Sequence, residues 1–288
     1  MNTLYIVATP IGNLNDISLR ALEVLKSVSL IAAEDTRHSQ KLLHHCGINT
    51  KLISYHEHNE RESVNNLIKI LKSGKSIALI SDAGTPCISD PGYHIVKAAL
   101  ENHIRVVPIP GACAAISALS VSGLPSDHFI FEGFLPASSV SRKNRLAKLK
   151  SETRTLIFYE APHRIEECIK DLGEIFGENR EVTLARELTK TYETIYKSNL
   201  KNLYDFIRNN PNQSKGECVI IVKGSSPEEI EQHNLEQAKK LVLILLENMP
   251  LKKAVKITAE LLSVSKNELY SEALKLKVPA PFEDFLKS

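Results

Sequence analysis

The sequence contains no tryptophan, and aromatic residues make up only 6% of its 288 positions. Proteins that hold single-stranded RNA by stacking need several exposed aromatic side chains, so this composition disfavours an extended stacking platform. No apolar run approaches the roughly 18 consecutive residues that a membrane span needs. The opening stretch "MNTLYIVATP" lacks the basic start and long apolar run of a secretory signal, and we expect a first strand there.

Cysteine is scarce and is never arranged as C-x-x-C. The chain holds five widely spaced cysteines: Cys46, Cys87, Cys113, Cys168 and Cys218. An odd number without close pairs predicts reduced thiols and therefore a reducing, cytoplasmic location. The histidine pairs His44–His45 and His56–His58 lack the helical i, i+4 spacing of a zinc site, so we predict that the protein holds no metal.

Short apolar runs alternate with amphipathic helical stretches from the first residues onward. The runs "LYIVAT", "SLIAA", "SIALIS" and "IRVVPI" are typical of doubly buried strands in an α/β sheet with parallel pairs. After "SGLPSD" the strands become longer and the turns resemble hairpins. We therefore predict an N-terminal α/β domain over residues 1–120, a second, mixed α/β domain over 121–224 and a helical C-terminal extension over 225–288 with a helix–turn–helix pattern.

Three loops rich in glycine and proline follow apolar strands of the first domain. The first loop spans residues 8–13, the second 81–92 and the third 108–115. In open α/β sheets, ligands bind outside the carboxyl ends of the strands. We therefore expect the three loops to gather at one edge of the sheet, where glycines let the backbone approach a ligand closely. The alternative is that each loop is an ordinary turn between a strand and a helix.

The second loop, "SDAGTPCISDPG", is acidic. Asp82 and Asp90 lie within it, and no lysine or arginine occurs between Lys75 and Lys97. The loop has neither the lysine of a Walker motif nor a G-x-G-x-x-G turn, which disfavours a phosphate ligand. Carboxylates beside exposed backbone suit a cationic or hydroxyl-rich ligand better.

Several long motifs follow one another along the chain: "VATPIGNLNDISLRALEVL", "AEDTR", "SDAGTPCISDPG", "PIPGACAAISAL", "SGLP", "FYEAPHR" and "RELTK". Together they make the chain resemble the small-subunit ribosomal RNA methyltransferases of the tetrapyrrole methylase superfamily, the class III methyltransferases that use S-adenosylmethionine. The resemblance extends to about residue 224. It implies two α/β domains with the methyl donor in the cleft between them, a homodimer, and 2′-O-methylation of the ribose of a decoding-centre cytidine in 16S rRNA.

The resemblance also implies which residues bind S-adenosylmethionine. Donor contacts from the first domain are expected at Pro10, Asp82, Ala83, Gly84, Thr85, Pro86, Ile88, Ser89, Asp90, Pro91, Gly111, Ala112 and Ala114. Tyr159 and Leu188 are expected to complete the site from the second domain. The sulfonium and ammonium groups of the donor explain why an acidic loop suits it.

Methyl transfer to an alcohol depends mainly on alignment, which contributes roughly 7–11 kcal/mol, whereas a general base contributes about 10²–10⁴-fold in rate. A ribose hydroxyl still needs a group that accepts or polarises its proton. The candidates in the matching motifs are Glu160, His163, Glu187, Lys190 and Asp35. Glu160 is equally well explained as the structural partner of Arg164, and Glu187 as that of Arg186. The sequence leaves the identity of the base open.

The stretch "SRKNRLAKLKSETR" (141–154) concentrates basic side chains against a single acid, Glu152. Such a run is often only a solvated helix face, but an rRNA substrate makes it the best electrostatic footprint in the chain. The expected RNA contacts are Arg37, Arg142, Lys143, Arg145, Lys148, Arg164, Lys252 and Lys253. The tail that carries Lys252 and Lys253 is equally well explained as a helical pair packed on the core.

Two other functions stay open on the sequence alone. One is a methyltransferase of the same superfamily that acts on a tetrapyrrole or another small acceptor. An enzyme for a small acceptor would not need the basic stretch or the helical tail. The other is a non-catalytic RNA-binding assembly factor on an enzyme-like scaffold. Binding of S-adenosylmethionine separates the two, because a pure RNA-binding protein has no use for the donor.

Overall fold

The computed structural model describes residues 2–56 and 60–277. The first sheet consists of β1 (Thr3–Val7), β2 (Leu30–Ala33), β3 (Leu52–Ser54), β4 (Ile77–Ile80) and β5 (Arg105–Ile109), in the order β3-β2-β4-β1-β5. All neighbouring strands are parallel. The helices that follow the strands are α1 (Leu19–Ser27), α2 (Thr36–His45), α3 (Glu60–Lys72), α4 (Tyr93–Glu101) and α5 (Ala114–Val121). The predicted parallel α/β sheet is therefore confirmed.

Strands β2 and β4 are buried along their whole length, which explains their uninterrupted apolar sequences "LIAA" and "IALI". Leu79 of β4 belongs to a core with side chains of α3 and α4. Ile80, on the other face of the same strand, packs in a second core with side chains of α1 and α2. Because all five strands run in the same direction, the segments that follow them leave the sheet at one edge.

The second sheet is mixed, as the sequence predicts. It consists of β6 (Phe129–Phe134), β7 (Thr155–Glu160), β8 (Glu181–Arg186), β9 (Thr194–Asn199) and β10 (Cys218–Val222), in the order β6-β7-β10-β8-β9. Strands β6 and β7 are parallel, and the other neighbours are antiparallel. Its helices are α6 (Ser139–Ala147), α7 (Ile165–Phe176) and α8 (Leu200–Asn209).

The chain divides into two compact units. One comprises residues 1–147 and 155–223 and contains both sheets, and the other comprises residues 148–154 and 224–288. The boundary that we predict near residue 120 falls at α5, just before the chain enters the second sheet. It stays a prediction, since both sheets belong to one compact unit.

The second unit is helical. It contains α9 (Pro227–Leu245), α10 (Leu251–Leu262) and α11 (Lys266–Lys277), and its apolar core includes Ala238, Val242, Ala254, Val255, Leu269 and Ala273. Helix α9 begins with a capping box, in which Ser226 and Glu229 each accept the backbone N–H of the other. At α11, Ser265 accepts the N–H of Glu268 at 3.4 Å. Among residues 2–56 and 60–277, none of the helices combines the length and the hydropathy required to traverse a lipid bilayer.

Candidate active site

Hydrogen bonds join the three glycine- and proline-rich loops of the first sheet. Thr9 in the first loop and Gly84 in the second exchange two backbone hydrogen bonds: the N–H of Thr9 donates at 2.8 Å and that of Gly84 at 3.0 Å. The Thr85 hydroxyl donates to the carbonyl of Ala112, in the third loop, at 3.0 Å. The expectation that the loops gather at one edge of the sheet is therefore confirmed.

The second loop has an unusual backbone. Gly84 (φ +83°) and Gly92 (φ +142°) have positive φ, and so do two non-glycine residues, Cys87 (φ +73°) and Ser89 (φ +63°). A Cβ at Gly92 would come within 2.5 Å of the Cys87 Sγ. Left-handed backbone at a non-glycine residue costs on the order of 1–3 kcal/mol and is concentrated at ligand sites. The surrounding hydrogen bonds therefore hold this loop in one specific shape.

A cavity of about 410 Å³ lies between the two sheets, within the range of roughly 300–1,000 Å³ that small-molecule sites occupy. The first sheet and its loops line it with Ile11, Glu34, Asp82, Ala83, Gly84, Thr85, Ile88, Ser89, Asp90, Cys113 and Ala114. The second sheet and its loops line it with Phe134, Tyr159, Glu160, Ala161, Pro162, Ala185, Leu188, Glu217, Cys218 and Val219. Both sheets thus form walls of one cavity.

Most of the residues that the resemblance assigns to the methyl donor line this cavity. They are Asp82, Ala83, Gly84, Thr85, Ile88, Ser89, Asp90, Ala114, Tyr159 and Leu188. The lining does not include Pro10, Pro86, Pro91, Gly111 and Ala112. Gly111 instead lets the third loop approach the first, because a Cβ there would lie 2.9 Å from the Cβ of Ala8. Donor contact stays a prediction for all of these residues, whether or not they line the cavity.

The cavity wall is strongly acidic. The carboxyl groups in its lining are Glu34, Asp82, Asp90, Glu160 and Glu217, and the described lining residues include no lysine, arginine or histidine. Burial, together with nearby Asp90 and Asp82, raises the pKa of Glu34. Burial also raises the pKa of Asp90; a hydrogen bond from Ser81 opposes this shift, and Asp82 adds to it. This wall favours a cationic ligand over an anionic one.

Asp35, a candidate base, acts as a helix cap and does not line the cavity. Its carboxylate accepts the N–H groups of Arg37 at 2.8 Å and His38 at 3.4 Å at the start of α2, and the bond from Arg37 is the main cause of its lowered pKa. The N–H of Asp35 donates to Asp82 Oδ1 at 3.0 Å, which ties the end of β2 to the second loop. A capping carboxylate with a lowered pKa is a poor proton acceptor, so we no longer favour Asp35 as the base.

Glu160 lines the cavity, but its carboxylate is already engaged. The side chain is 0% exposed and lies 3.0 Å from the guanidinium of Arg164 in an ion pair. It also accepts the N–H of Ala161 at 2.8 Å. Arg164 donates in turn to the carbonyl of Leu135 at 2.6 Å. These contacts favour the structural ion pair over a free base, and they hold Arg164, an expected RNA contact, inside that pair.

Lys190 forms ion pairs with Glu187 and Glu217, and neither Glu187 nor Lys190 lines the cavity. Lys190 Nζ lies 2.8 Å from Glu187 and 3.1 Å from Glu217. Burial acts to lower the pKa of Lys190, but hydrogen bonds to the two carboxylates outweigh burial and the pKa is raised. A lysine that acts as a base near neutral pH needs the opposite shift. Lys190 is therefore protonated in this arrangement, and we no longer favour it as the base.

The first part of the basic stretch is paired with acids. Arg142 is 0% exposed, and its guanidinium donates to Asp171 at 2.7 Å and to the carbonyl of Ala137 at 3.2 Å. It shares the buried face of α6 with Leu146, which lies one turn later. A buried, paired guanidinium cannot reach a phosphate in this conformation, so we withdraw Arg142 from the expected RNA contacts.

The other expected RNA contacts differ in exposure. Lys143 pairs with Glu174 and Asp171, and Arg145 donates to Glu132 at 2.8 Å. The Arg37 side chain is 91% exposed, and Lys148, Lys252 and Lys253 are also exposed. RNA contact stays a prediction for all of these residues.

Sequence reasoning placed Cys113 in the third loop of the expected donor site, but it missed another part of the lining: Ile11, Glu34, Phe134, Ala161, Pro162, Ala185, Glu217, Cys218 and Val219. Glu34 directly follows β2, so the rule that selected the three loops would also have selected it. Glu217 precedes β10, which is antiparallel to β7 and β8 and so brings its start to the cavity. No local pattern reveals such pairing.

Among the described residues, no group of three or more histidine, cysteine, aspartate or glutamate side chains is placed to hold a metal ion. His58, the second member of the histidine pair His56–His58, lies outside the described residues.

Known proteins are similar to this chain over nearly its whole length. Residues 3–204 match the family Tetrapyrrole (Corrin/Porphyrin) Methylases, and residues 232–277 match the family RsmI C-terminal HTH domain. A Pseudomonas aeruginosa protein named Ribosomal RNA small subunit methyltransferase I is 54% identical over 273 residues, which cover 95% of this chain and 97% of that one. A protein of the same name from Escherichia coli O157:H7 is 52% identical over 272 residues, which cover 94% of each chain.

Solved structures share the fold of the two sheets. Diphthine synthase aligns with a TM-score of 0.60 at 16% identity, over 78% of this chain and 90% of that one. A cobalt precorrin-4 methyltransferase aligns with a TM-score of 0.55 at 17% identity, over 77% of this chain and 95% of that one. The predicted fold class, two α/β parts followed by a helical extension, is confirmed.

Proposed function

The chain belongs to the tetrapyrrole methylase family of methyltransferases, and we propose that it uses S-adenosylmethionine to methylate the 2′-hydroxyl of a decoding-centre cytidine in 16S rRNA. The names of its close relatives support a small-subunit rRNA substrate. The resemblance of its motifs supports the cytidine ribose as the acceptor. The proposed enzyme is a homodimer that works in the cytoplasm, where the small subunit is assembled.

The acidic cavity between the two sheets is the observation that carries this proposal. S-adenosylmethionine, when bound, supplies a methyl group on a positively charged sulfonium. Glu34, Asp82 and Asp90 bring negative charge to one wall, and the described lining contains no basic side chain that would repel a cation. A volume of about 410 Å³ also suits a small-molecule ligand. The charge and the size of the cavity therefore fit this cofactor.

Apolar side chains supply the second part of the fit. Ile11, Leu188 and Val219 line the cavity and are 6%, 9% and 5% exposed. An apolar wall accommodates a flat nucleoside ring and keeps water away from the reacting groups. Exclusion of water strengthens every electrostatic interaction inside the site.

Alignment is the main task of the protein in this reaction. The second loop is suited to it, because hydrogen bonds to the first and third loops hold its left-handed backbone in place. Glu34 and Asp90 have raised pKa values, which makes them better proton acceptors than ordinary carboxylates. In the proposed reaction, a carboxylate oxygen of one of these residues accepts the proton of the acceptor hydroxyl.

The start of α10 supports a contact with RNA. Lys252 and Lys253 lie in its first turn, which contains no acidic residue, and Pro250 provides no side-chain cap. Positive charge at this end of a helix opposes the helix dipole and does not help folding. A phosphate group, in contrast, is attracted both by a helix N-terminus and by lysine side chains.

The proposal is tested by direct methyl transfer. The purified protein is incubated with S-adenosylmethionine labelled on its methyl group and with small ribosomal subunits from cells that lack the enzyme. Nuclease digestion and mass spectrometry then locate the label, and calorimetry measures donor binding in parallel. We expect one ribose-methylated cytidine in the decoding region of 16S rRNA, and no transfer to subunits that already carry the modification.

Each alternative function gives a different result. Donor binding without transfer to the subunit would contradict the rRNA substrate and favour a small acceptor such as a tetrapyrrole. Loss of both donor binding and transfer would contradict an enzymatic role and favour the RNA-binding assembly factor.

A further inference from the structure

Phe134 is an exposed aromatic side chain in the cavity wall. It ends β6, and 57% of its surface is exposed although it lines the cavity. Its ring meets the ring of Tyr159 edge to face, with centroids 5.6 Å apart and an interplanar angle of 66°. This contact leaves more than half of the Phe134 side chain open to a ligand.

A β-bulge brings Phe134 to this face of the sheet. The register between β6 and β7 shifts by one residue between Phe131 and Gly133. In a regular strand Phe131 and Phe134, three positions apart, would point to opposite faces. With the bulge and with Gly133 at φ +66°, both rings instead pack against Tyr159. Bulges of this kind re-aim side chains next to active sites.

Phe134 is paired with Tyr159 of β7, and the residues on both sides of it are held by further contacts. Glu132 accepts a hydrogen bond from Arg145 of α6 at 2.8 Å. Leu135 is 3% exposed, and its carbonyl accepts a hydrogen bond from Arg164, the partner of Glu160, at 2.6 Å. An exposed ring on a fixed backbone loses little conformational freedom when a flat ligand covers it.

We propose that Phe134 is the stacking surface for the acceptor nucleobase, an unstacked cytosine of the rRNA; the inference rests on the function proposed above. Sequence-specific RNA recognition mostly targets unstacked bases, which stack on aromatic side chains, and enzymes that act on a base hold the flipped base between aromatic or apolar side chains. Phe134 shares one cavity with the acidic wall of Glu34 and Asp90, so a base on its ring brings its ribose close to that wall. Ala161 and Pro162 add apolar surface to the same cavity.

The low aromatic content is compatible with this role. An extended platform for single-stranded RNA needs several aromatic side chains, whereas one flipped base needs only one. The other large exposed aromatic side chains of residues 2–56 and 60–277 are Tyr93, Phe129, Tyr192 and Tyr270, and none of them lines the cavity. Of these five exposed aromatic side chains, Phe134 is the one that lines the cavity.

Replacing Phe134 by leucine keeps an apolar side chain and removes the aromatic face. For Phe134→Leu we expect kcat/KM for small ribosomal subunits to fall about ten- to a hundredfold, the loss expected for one stacked base. The Kd for S-adenosylmethionine, measured by calorimetry, should not change, and Phe134→Tyr should keep most of the activity. Phe129→Leu is the matched control, because Phe129 starts the same strand, is 39% exposed and does not line the cavity.

The outcomes separate this inference from the function on which it rests. If the wild-type enzyme is active and Phe134→Leu is equally active, the inference about Phe134 is overturned but the proposed function is not. A weaker Kd for S-adenosylmethionine would assign the ring to the donor instead of the acceptor. An equal loss in Phe129→Leu would assign the effect to the strand as a whole. Failure of the wild-type protein to methylate the subunit would overturn the proposed function itself.

Discussion

Asp90 is a residue whose charge the folded chain disfavours. Burial raises its pKa, and although a hydrogen bond from Ser81 opposes the shift, the nearby Asp82 adds to it. The pKa in the unfolded chain is about 3.9. Because the folded value is higher, the stabilisation from protonated Asp90 is complete below the unfolded pKa and is lost as the pH rises through the folded pKa. At neutral pH the Asp90 carboxylate therefore destabilises the fold while it attracts a cation.

Asp90→Asn removes this charge and keeps the shape of the side chain. At pH 7 we expect the melting temperature to rise by about 1–3 °C, a small increase because partial exposure screens the charge. S-adenosylmethionine should bind about tenfold more weakly, a difference of about 1.4 kcal/mol in binding free energy. Thermal scans at pH 7 and near pH 4, together with calorimetry, test both effects, and the gain in melting temperature should shrink at the lower pH.

The control for this substitution is Asp205→Asn on α8, which removes an exposed carboxylate outside the cavity lining. It should change neither the melting temperature nor donor affinity. A lower melting temperature for Asp90→Asn would mean that the carboxylate stabilises the fold, contrary to the direction of its pKa shift.

Single residues were predictable from the sequence where they follow a strand directly. Asp82 and Asp90 lie in a loop after β4, and a general rule about sheet edges selects them. Arg142 was expected to contact RNA but is buried, because it pairs with Asp171, which lies 29 positions away on another helix. A run of charges in a sequence does not reveal which of them is buried.

Asp82 joins two elements, since its carboxylate accepts the N–H of Asp35 and so connects the second loop to the start of α2. Asp82→Asn keeps an oxygen acceptor and loses the charge, whereas Asp82→Ala loses both. We expect both variants to fold and to bind S-adenosylmethionine more weakly. Asp82→Ala should be weaker again by about five- to tenfold, because a net hydrogen bond contributes about 1 kcal/mol. Calorimetry measures the affinities, and circular dichroism checks the fold.

Two results would contradict this account of the second loop. Unchanged affinity in Asp82→Ala would remove the loop from the donor site. Equal affinities for the two variants would mean that the bond to Asp35 does not hold the loop in its binding shape.

Most strands were predictable because their apolar runs are short and bounded by turn residues. β3 and β9 were not predicted: β3 has only three residues, and β9, "TIYKSN", lies at a sheet edge with polar residues at four of its six positions. The bulge at Gly133 was equally invisible, because it exists only relative to β7. It is this non-local pairing that places Phe134 in the cavity.

The two compact units have different roles in the proposed function. Two lysine pairs, one in each unit, lie at opposite ends of their helices. Lys69 and Lys72 lie in the last turn of α3, where positive charge is favoured by the helix dipole. Lys252 and Lys253 lie in the first turn of α10, where it is disfavoured. The second pair therefore has no stabilising role in its helix, and the proposed RNA substrate supplies a reason for it.

The double variant Lys252→Ala/Lys253→Ala should weaken binding to small ribosomal subunits without changing the Kd for S-adenosylmethionine. If each lysine contacts one phosphate, the slope of log K against log salt should become shallower by about 1.4–1.8, because each contact releases less than one counterion. Fluorescence titrations of labelled subunits between about 50 and 200 mM salt measure this slope. Lys69→Ala/Lys72→Ala removes the same charge from another exposed helix end and should leave the slope unchanged. Equal slopes for both double variants would show that only net charge matters, and the helical unit would then lose its proposed role in RNA binding.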